Sequence, residues 1–165
     1  MTQRVEEVVI AQDNTADLSR GRRTLQWIGI IVGIGIAGTL DEVVLHQLLQ
    51  WHNFYVHTTP SGRIVSDGLF HLFSTSMLVL GIWLLWSRRQ LLSTQREGRT
   101  LLGAVLIGLG GFNLYDGTIQ HHVLHLHPVR EGVTNTLPYD LAFNGIALLL
   151  LIVGIFVSRS SRHLR

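Results

Sequence analysis

The run Ile146-Ala-Leu-Leu-Leu-Leu-Ile-Val153 carries no polar side chain on any face of a helix. A helix in a soluble bundle needs a polar face toward water, and this segment has none to offer. It lies within an apolar stretch from Leu141 to Val157, and three others precede it: Leu25–Leu40, Leu69–Trp86 and Leu101–Leu114. The first continues as a helix-compatible pattern to Trp51, the third to Leu126. Crossing about 30 Å of hydrocarbon takes roughly 20 residues at ~1.5 Å each. With their polar flanks all four segments are long enough. Of the 165 residues, 47% are hydrophobic and only 15% charged, whereas a soluble domain is about a quarter charged. The first stretch is not read as a cleaved signal peptide, because it runs on past any plausible cleavage site and the third repeats its pattern.

The expected fold is therefore all-α, a four-span transmembrane bundle of two repeated helical hairpins. The membrane domain is placed at residues 25–157, with repeat one at about 25–87 and repeat two at about 100–157. Residues 1–24 and 158–165 are read as tails, the first nineteen as a mobile one. Orientation follows from arginine, since all 13 basic residues are arginine. Arg4, Arg20, Arg22, Arg23, Arg88, Arg89, Arg96, Arg99, Arg159, Arg162 and Arg165 fall at one end of the four spans; Arg63 and Arg130 fall at the other. The positive-inside rule then puts both termini in the cytoplasm, with the protein a multi-pass resident of the membrane. Trp27, Trp83 and Trp86 fall at the inner interface and Trp51 at the outer one, as an aromatic belt requires.

Laying Asp41 on Asp116 reveals an internal repeat. Asp41, His46 and His52 form D-x4-H-x5-H, and so do Asp116, His121 and His127. Gly33 and Gly35 fall on Gly108 and Gly110, small residues that let helices approach closely in lipid. Asp67-Gly-Leu-Phe-His71 lies on Asp140-Leu-Ala-Phe-Asn144. A duplicated hairpin crosses twice per copy, so both copies keep one orientation and a pseudo-twofold axis along the membrane normal is expected.

The chain also resembles a bacterial family of predicted membrane proteins catalogued as domain of unknown function 2243. The likeness rests on Gly38-Thr-Leu-Asp41-Glu-Val-Val-Leu-His46-Gln-Leu-Leu-Gln-Trp-His52, Asp67-Gly-Leu-Phe-His71, Tyr115-Asp116-Gly-Thr-Ile-Gln-His121-His122, Val129-Arg130-Glu131-Gly132 and Tyr139-Asp140-Leu141. It spans residues from about 25 to 157. It implies four membrane helices and supplies no activity.

Chemistry is concentrated in histidine: nine in the chain, eight of them between His46 and His127. Ionisable groups inside a span are costly and usually functional or paired. Cysteine is absent, which removes thiolate ligands and thiol nucleophiles together. With Trp51 at the interface, His46 lies ~7 Å and Asp41 ~15 Å below it along a straight helix. With Ser66 as the cap of the second helix, Asp67 lies at the surface and His71 ~6 Å deeper. One layer then gathers His46, His71, His121 and Asn144; a shallower one gathers His52, His127, Asp67 and Asp140. Asp41 and Asp116 sit deeper.

Glu42 with His46, Asp67 with His71, and His121 with His125 are i,i+4 pairs, two-ligand arms of the kind that bundle cores combine into metal sites. Asp41 and His52 share a face three turns apart, too far for one ion on a straight helix. The expected metal ligands are His46, His71, His121, Glu42 and His125, with Asp41, His52, Asp67, Asp116, His127, Asp140 and Asn144 in a second layer or supporting shell. Imidazole with carboxylate suits copper, iron or zinc without choosing among them. Taken singly, His57, His122 and His125 read as loop or interface histidines, and the Asp–His pairs as packing groups bonded across helices.

The leading function is a redox or metal-handling membrane protein with its site at the extracytoplasmic end, enzyme or not. The alternatives are a b-type haem protein, a proton or metal conduit, and a structural membrane subunit. The bilayer is the one definite partner; no nucleic acid is implied, and a homo-oligomer or a redox partner stays open. Arg63 and Arg130 are read as partners of Asp67 and Glu131 or as guards of an anionic entry. Cysteines introduced at Arg4 and at His57 are expected to label with an impermeant maleimide from opposite faces of the membrane. Same-face labelling would overturn the orientation.

Overall fold

The computed structural model describes the backbone of residues 2–160 and the side chains of residues 17–160. All regular structure in that range is helical, in the order α1 (Thr2–Leu40), α2 (Pro60–Ser87), α3 (Gln95–Tyr115) and α4 (Leu137–Ser160). Two of these helices do not stop at their last α-helical residue. From α1 the chain continues as a wider π-helix over Asp41–Leu48, and from α3 as another over Asp116–Val123. Each of the four helical segments is long and apolar enough to cross a membrane. The four-span, all-α expectation is met. Of the C-terminal tail expected at 158–165, residues 161–165 lie outside the described residues, and His163 with them.

Two boundaries differ from the sequence reading. The stretch read as a mobile tail is helical from Thr2. Neither proline nor glycine occurs between Thr2 and Arg20, so nothing there stops a helix from propagating backward out of the span. The second helix starts at Pro60 rather than near Ser66. Thr59 caps it, its hydroxyl accepting from Gly62 N at 3.1 Å, and Pro60 at the first position has the fixed φ a helix start wants. Ser66 instead donates to Arg63 O at 2.7 Å inside the second turn.

The centre of the molecule is a parallel pair. α1 packs along α3, α2 packs antiparallel on α1, and α4 antiparallel on α3. Glycine makes this possible at each crossing. A Cβ on Gly33 would lie 2.9 Å from Gly108 Cα, and one on Gly108 would lie 2.9 Å from Ile30 Cα. A Cβ on Gly35 would lie 2.5 Å from Leu78 N, and one on Gly110 2.5 Å from Leu151 N. The same shift of 75 residues that takes Asp41 to Asp116 takes Gly35 to Gly110. Crossing positions thus recur in the two hairpins, around a line running between α1 and α3.

Burial is inverted relative to a soluble protein. Asp41, Glu42, His46, Ser74, Thr100 and Asp116 are buried, while Leu69, Leu72, Val79, Ile146, Leu149 and Phe156 are exposed. A surface of that kind belongs in hydrocarbon, and the polar groups turn inward where they find partners. Trp27, Trp83 and Trp86 are exposed as well. Arg22 at the opposite end from the histidines donates to Ser158 O at 3.0 Å, tying the start of the first span to the end of the last.

Gly110→Val is expected to lower the unfolding temperature in detergent, the added methyls costing about 1–3 kcal/mol through overpacking. Gly111→Ala meets open space and is expected to be neutral or stabilising by up to about 1 kcal/mol. Equal effects at the two positions would contradict this packing.

Candidate metal centre

The π-helical ends deliver the site. An α-helix sets residues five apart ~140° apart around its axis, so Asp41 and His46 would face different ways. Closing i→i+5 hydrogen bonds turns residues five apart much nearer to one face, and the side chains meet: Asp41 Oδ2 is 3.4 Å from His46 Nε2. Asp116 Oδ2 is 3.0 Å from His121 Nε2 in the other half. The D-x4-H spacing was the signal for this widening, since it suits the π period and not the α one.

Both ends then terminate in the same way. Leu49 N bonds Val44 O at 2.9 Å and Trp51 N bonds Leu45 O at 2.8 Å. Leu124 N bonds Ile119 O at 2.8 Å and Leu126 N bonds Gln120 O at 2.9 Å. Between each pair of donors stands a left-handed residue, Gln50 at φ 52° and His125 at φ 49°. The left-handed residue reverses the chain as it does at helix C-termini generally, and the histidine two residues on folds back onto the helix end. His52 and His127 consequently do not form the shallower layer expected of a straight helix. They join His46 and His121. Asp41 and His52, judged too distant for a shared ion, fall within one ligand group.

The four imidazoles form a buried cluster. His52 and His127 stack face to face with ring centroids 4.5 Å apart. His46 stands edge-on to His52 at 4.6 Å, and His121 edge-on to His127 at 4.6 Å. Phe70 packs 5.7 Å from His46, and Phe143 5.5 Å from His121. Two equivalent triads result, Asp41–His46–His52 and Asp116–His121–His127, with each triad's ligand atoms within 4.8 Å of one another. A third group, Glu42–His46–Asp67, adjoins the first. Within it His46 Nδ1 is 2.9 Å from Glu42 Oε2 and 3.3 Å from Asp67 Oδ1.

Hydrogen bonding sorts the ring atoms. The Nδ1 of His52 is 2.8 Å from Val129 O, and a carbonyl can only accept, so Nδ1 carries the proton. The lone pair of His52 is thereby placed on Nε2, which is buried without a hydrogen-bond partner. His46 Nε2, His121 Nε2, His127 Nε2, Asp41 Oδ1 and Asp116 Oδ2 are buried without hydrogen bonds too, although carboxylates stand close by. Buried polar atoms are nearly always paired. Nitrogen and oxygen atoms converging in this way could hold a metal ion.

The other expected site residues divide. Asp67 is half-buried, its two oxygens accepting from Phe54 N at 2.7 Å and Asn53 Nδ2 at 2.6 Å, so it also pins the loop carrying His52. His71 is exposed and outside the cluster. Rotation about α2 turns it outward, because Phe70 and Ser74 take the inward face of that helix. His125 is exposed at its left-handed position, its carbonyl accepting from His57 Nε2 at 2.6 Å. Asp140 is buried, with Oδ1 3.9 Å from His122 Nε2. Asn144 donates to Asp140 O at 3.0 Å and to Gly117 O at 3.4 Å.

A lid of loop residues covers the rings. Glu131 N bonds Trp51 O at 2.7 Å and Val56 N bonds Leu126 O at 3.1 Å, joining the two loops. Arg63 pairs with Glu131 at 2.6 Å rather than with Asp67. Arg130 lies over Trp51 and over Tyr139, 5.1 Å from each ring centroid, and donates to the Tyr139 hydroxyl at 2.7 Å. Both arginines are thus structural braces of the lid. A cavity of about 770 Å³ opens at the opposite end, lined by Arg22, Gln90, Arg96 and Glu97 among others, with no histidine in its wall.

The model for the family described as predicted membrane protein (DUF2243) matches residues 28–161. The chain belongs to this family. The matched region contains the last three helices whole, the C-terminal third of the first, and every residue of both triads. No curated protein and no solved structure matches the chain. The family's description gives membrane residence and no activity, so the chemistry must come from the site.

Burial pushes the His52 imidazole down to about 4, with the neighbouring His46 and His121 acting in the same direction against Asp41 and the Val129 carbonyl. Burial likewise pushes His127 down to about 2, reinforced by His52, His121 and His46. Both rings are neutral in the folded protein at neutral pH. A histidine with a lowered folded-state pKa binds more protons when unfolded, so its stabilising contribution is complete above ~6.5 and is lost as pH falls toward the folded value. The thermal midpoint of the metal-free protein is expected to fall between pH ~6.5 and 4, and His52→Gln to flatten that slope. A midpoint rising over this interval would contradict the burial of these rings.

Proposed function

We propose that this protein is a membrane metalloprotein holding transition-metal ions in two adjacent sites, each built from two histidines and one aspartate. One observation carries the reading. The His52 ring is held by a backbone carbonyl at Nδ1 and turns an unpartnered, buried Nε2 toward His46 and Asp41. Metal-bound histidines are typically fixed in this way through their other nitrogen. Glu42, 2.9 Å from His46 Nδ1, is placed to do the same for His46. Two imidazoles and a carboxylate suit zinc or ferrous iron and accept copper(II). With ions bound, each triad would supply a Lewis acid with coordination positions to spare, in keeping with redox or metal-handling roles.

The rival readings have less support. Neighbouring rings of the cluster lie 4.5–6.3 Å apart, stacked or edge-on with carboxylates against them, and leave no slot for a haem b macrocycle. Below Asp41 and Asp116 the helices close backbone to backbone at Gly33, Gly35, Gly108 and Gly110, which leaves no width for a file of water, so a proton or metal conduit finds no inner half. The arginine asymmetry supports placing the metal end on the extracytoplasmic side of a bacterial inner membrane, where incoming ions are met first.

Protein purified in detergent and supplied with zinc or iron is expected to hold two equivalents by elemental analysis. His46→Ala or His121→Ala should remove about one equivalent each, and the double variant both, as expected for ligands of separate sites. His71→Ala should leave the metal in place, as should His125→Gly, whose glycine favours the positive φ. If no stoichiometric transition metal is found and none is taken up, the reading fails and the cluster is a packing network.

A further inference from the structure

The two halves match more closely in backbone than in charge. His46 meets three carboxylates: Asp41 Oδ2 stands 3.4 Å from its Nε2, and Glu42 Oε2 and Asp67 Oδ1 stand 2.9 Å and 3.3 Å from its Nδ1. Two of the three are themselves held in place. Gln47 Nε2 donates to Glu42 Oε1 at 3.0 Å, and Asp67 accepts from Phe54 N and Asn53 Nδ2. His121 meets one carboxylate. Asp116 Oδ2 stands 3.0 Å from its Nε2. Its Nδ1 is buried without a hydrogen-bond partner, and among the described residues no carboxylate reaches that atom.

The difference traces to single residues. The shift that takes His46 to His121 takes Glu42 to Gly117. The place where a side chain would begin at Gly117 is filled from α4: a Cβ there would lie 2.5 Å from Asn144 Oδ1 and 2.9 Å from Phe143 Cδ1. Asn144 brings no charge, and its amide nitrogen donates to Asp140 O and Gly117 O. Asp140, the counterpart of Asp67 in the repeat, has Oδ1 3.9 Å from Nε2 of the exposed His122 instead.

We propose that the two metal sites are unequal, the Asp41–His46–His52 site retaining a resident ion and the Asp116–His121–His127 site taking up and releasing its own. This rests on the metal reading above and gives the two halves different tasks. Glu42 and Asp67 act on the ion through His46. A carboxylate at the far nitrogen of a ligand imidazole fixes its ring and raises its basicity. Two further negative charges in a low-dielectric end of the bundle also add attraction for a cation. Both are positioning residues, outside the triad that holds the ion. His121 has neither support, so an ion beside it depends on its three ligands alone.

The test is the zinc affinity of metal-free, detergent-purified protein, measured by competition with a chromophoric chelator. His121→Ala leaves the first site to be measured alone, and His46→Ala the second. The His121→Ala protein is expected to bind zinc about tenfold or more tightly than His46→Ala, the scale on which supporting groups of metal sites act. Glu42→Gln should weaken binding about tenfold in the His121→Ala background and leave it unchanged in the His46→Ala background, a split that a general loosening of the bundle would not give. The unmodified protein, which depends on no variant folding, should fill in two separate steps. Equal affinities, the reverse order, an equal effect of Glu42→Gln in both backgrounds, or filling of the unmodified protein in a single step would overturn the inequality while leaving the metal centre standing. If the unmodified protein binds no zinc, the metal centre itself fails, and the inequality with it.

Discussion

The backbone contact between α1 and α3 at Gly33 and Gly108 is the constraint on which the rest of the structure depends. Two parallel helices this close place their C-terminal ends side by side at the same depth. Any larger residue at the crossing would separate them, and the two triads would become two unrelated helix ends. Because the helices are parallel, whatever one end does the other does beside it. Stacking of His52 on His127 at 4.5 Å is the consequence, the point where the two halves touch. Apolar burial contributes little specificity in a bilayer, where lipid tails are as apolar as leucine. Close backbone packing and polar contacts must supply it instead, and this molecule uses one at each level of its depth: glycine in the middle, imidazole and carboxylate at the end.

Much of this was legible in the sequence, for reasons that also explain what was not. Hydropathy reports the medium around a helix, so the four spans and their polar end followed from composition along the chain. The recurrence of Asp41, His46 and His52 as Asp116, His121 and His127 brought out the residues of both triads. Their grouping failed because depth was reckoned along a straight α-helix. A wider final turn and one left-handed residue, Gln50 or His125, are enough to carry His52 and His127 back to their partners. The D-x4-H spacing marks the wider turn, but the left-handed residue has no mark of its own, since glycine, its usual sign at a helix end, is absent at both positions. The histidine at position 71 shows the complementary error: its depth suited the layer, but rotation about α2 gives the inward place to Phe70. The lid was illegible for a different reason. Arg63 meeting Glu131 is a contact between loops, and no periodicity encodes it.

The π-helical ends are the local cost of the arrangement. Widened helix turns and non-glycine residues at positive φ are both disfavoured relative to a regular helix, and they persist where the surroundings over-determine them. Here that happens twice, at equivalent positions, and in each case the result is a carboxylate and an imidazole in contact. A regular helix would have kept its hydrogen-bond ladder and turned Asp41 and Asp116 away from their histidines. Strain concentrated at these two points, with regular helix on either side, fits a fold that uses the widened turn to aim side chains.

Charge closes the argument. Asp41, Glu42, Asp67 and Asp116 stand against neutral His52 and His127 in a largely water-free end of the bundle, and removing carboxylates from water without compensation costs several kcal/mol per ion. The arginines within reach are committed elsewhere, Arg63 to Glu131 and Arg130 to the faces of Trp51 and Tyr139. Asp67 has two amide donors to ease its burial, but Asp41 Oδ1 is without a hydrogen bond and Asp116 Oδ2 has only the His121 ring, 3.0 Å away. The deficit can be met by protons or by cations among the ligands. Protons alone would leave the lone pair on Nε2 of His52 without a partner. Two divalent ions would balance all four carboxylates and give one unpartnered nitrogen of each ring a ligand role. Of the two ways to neutralise this end of the bundle, bound metal ions would answer both the charge and the geometry.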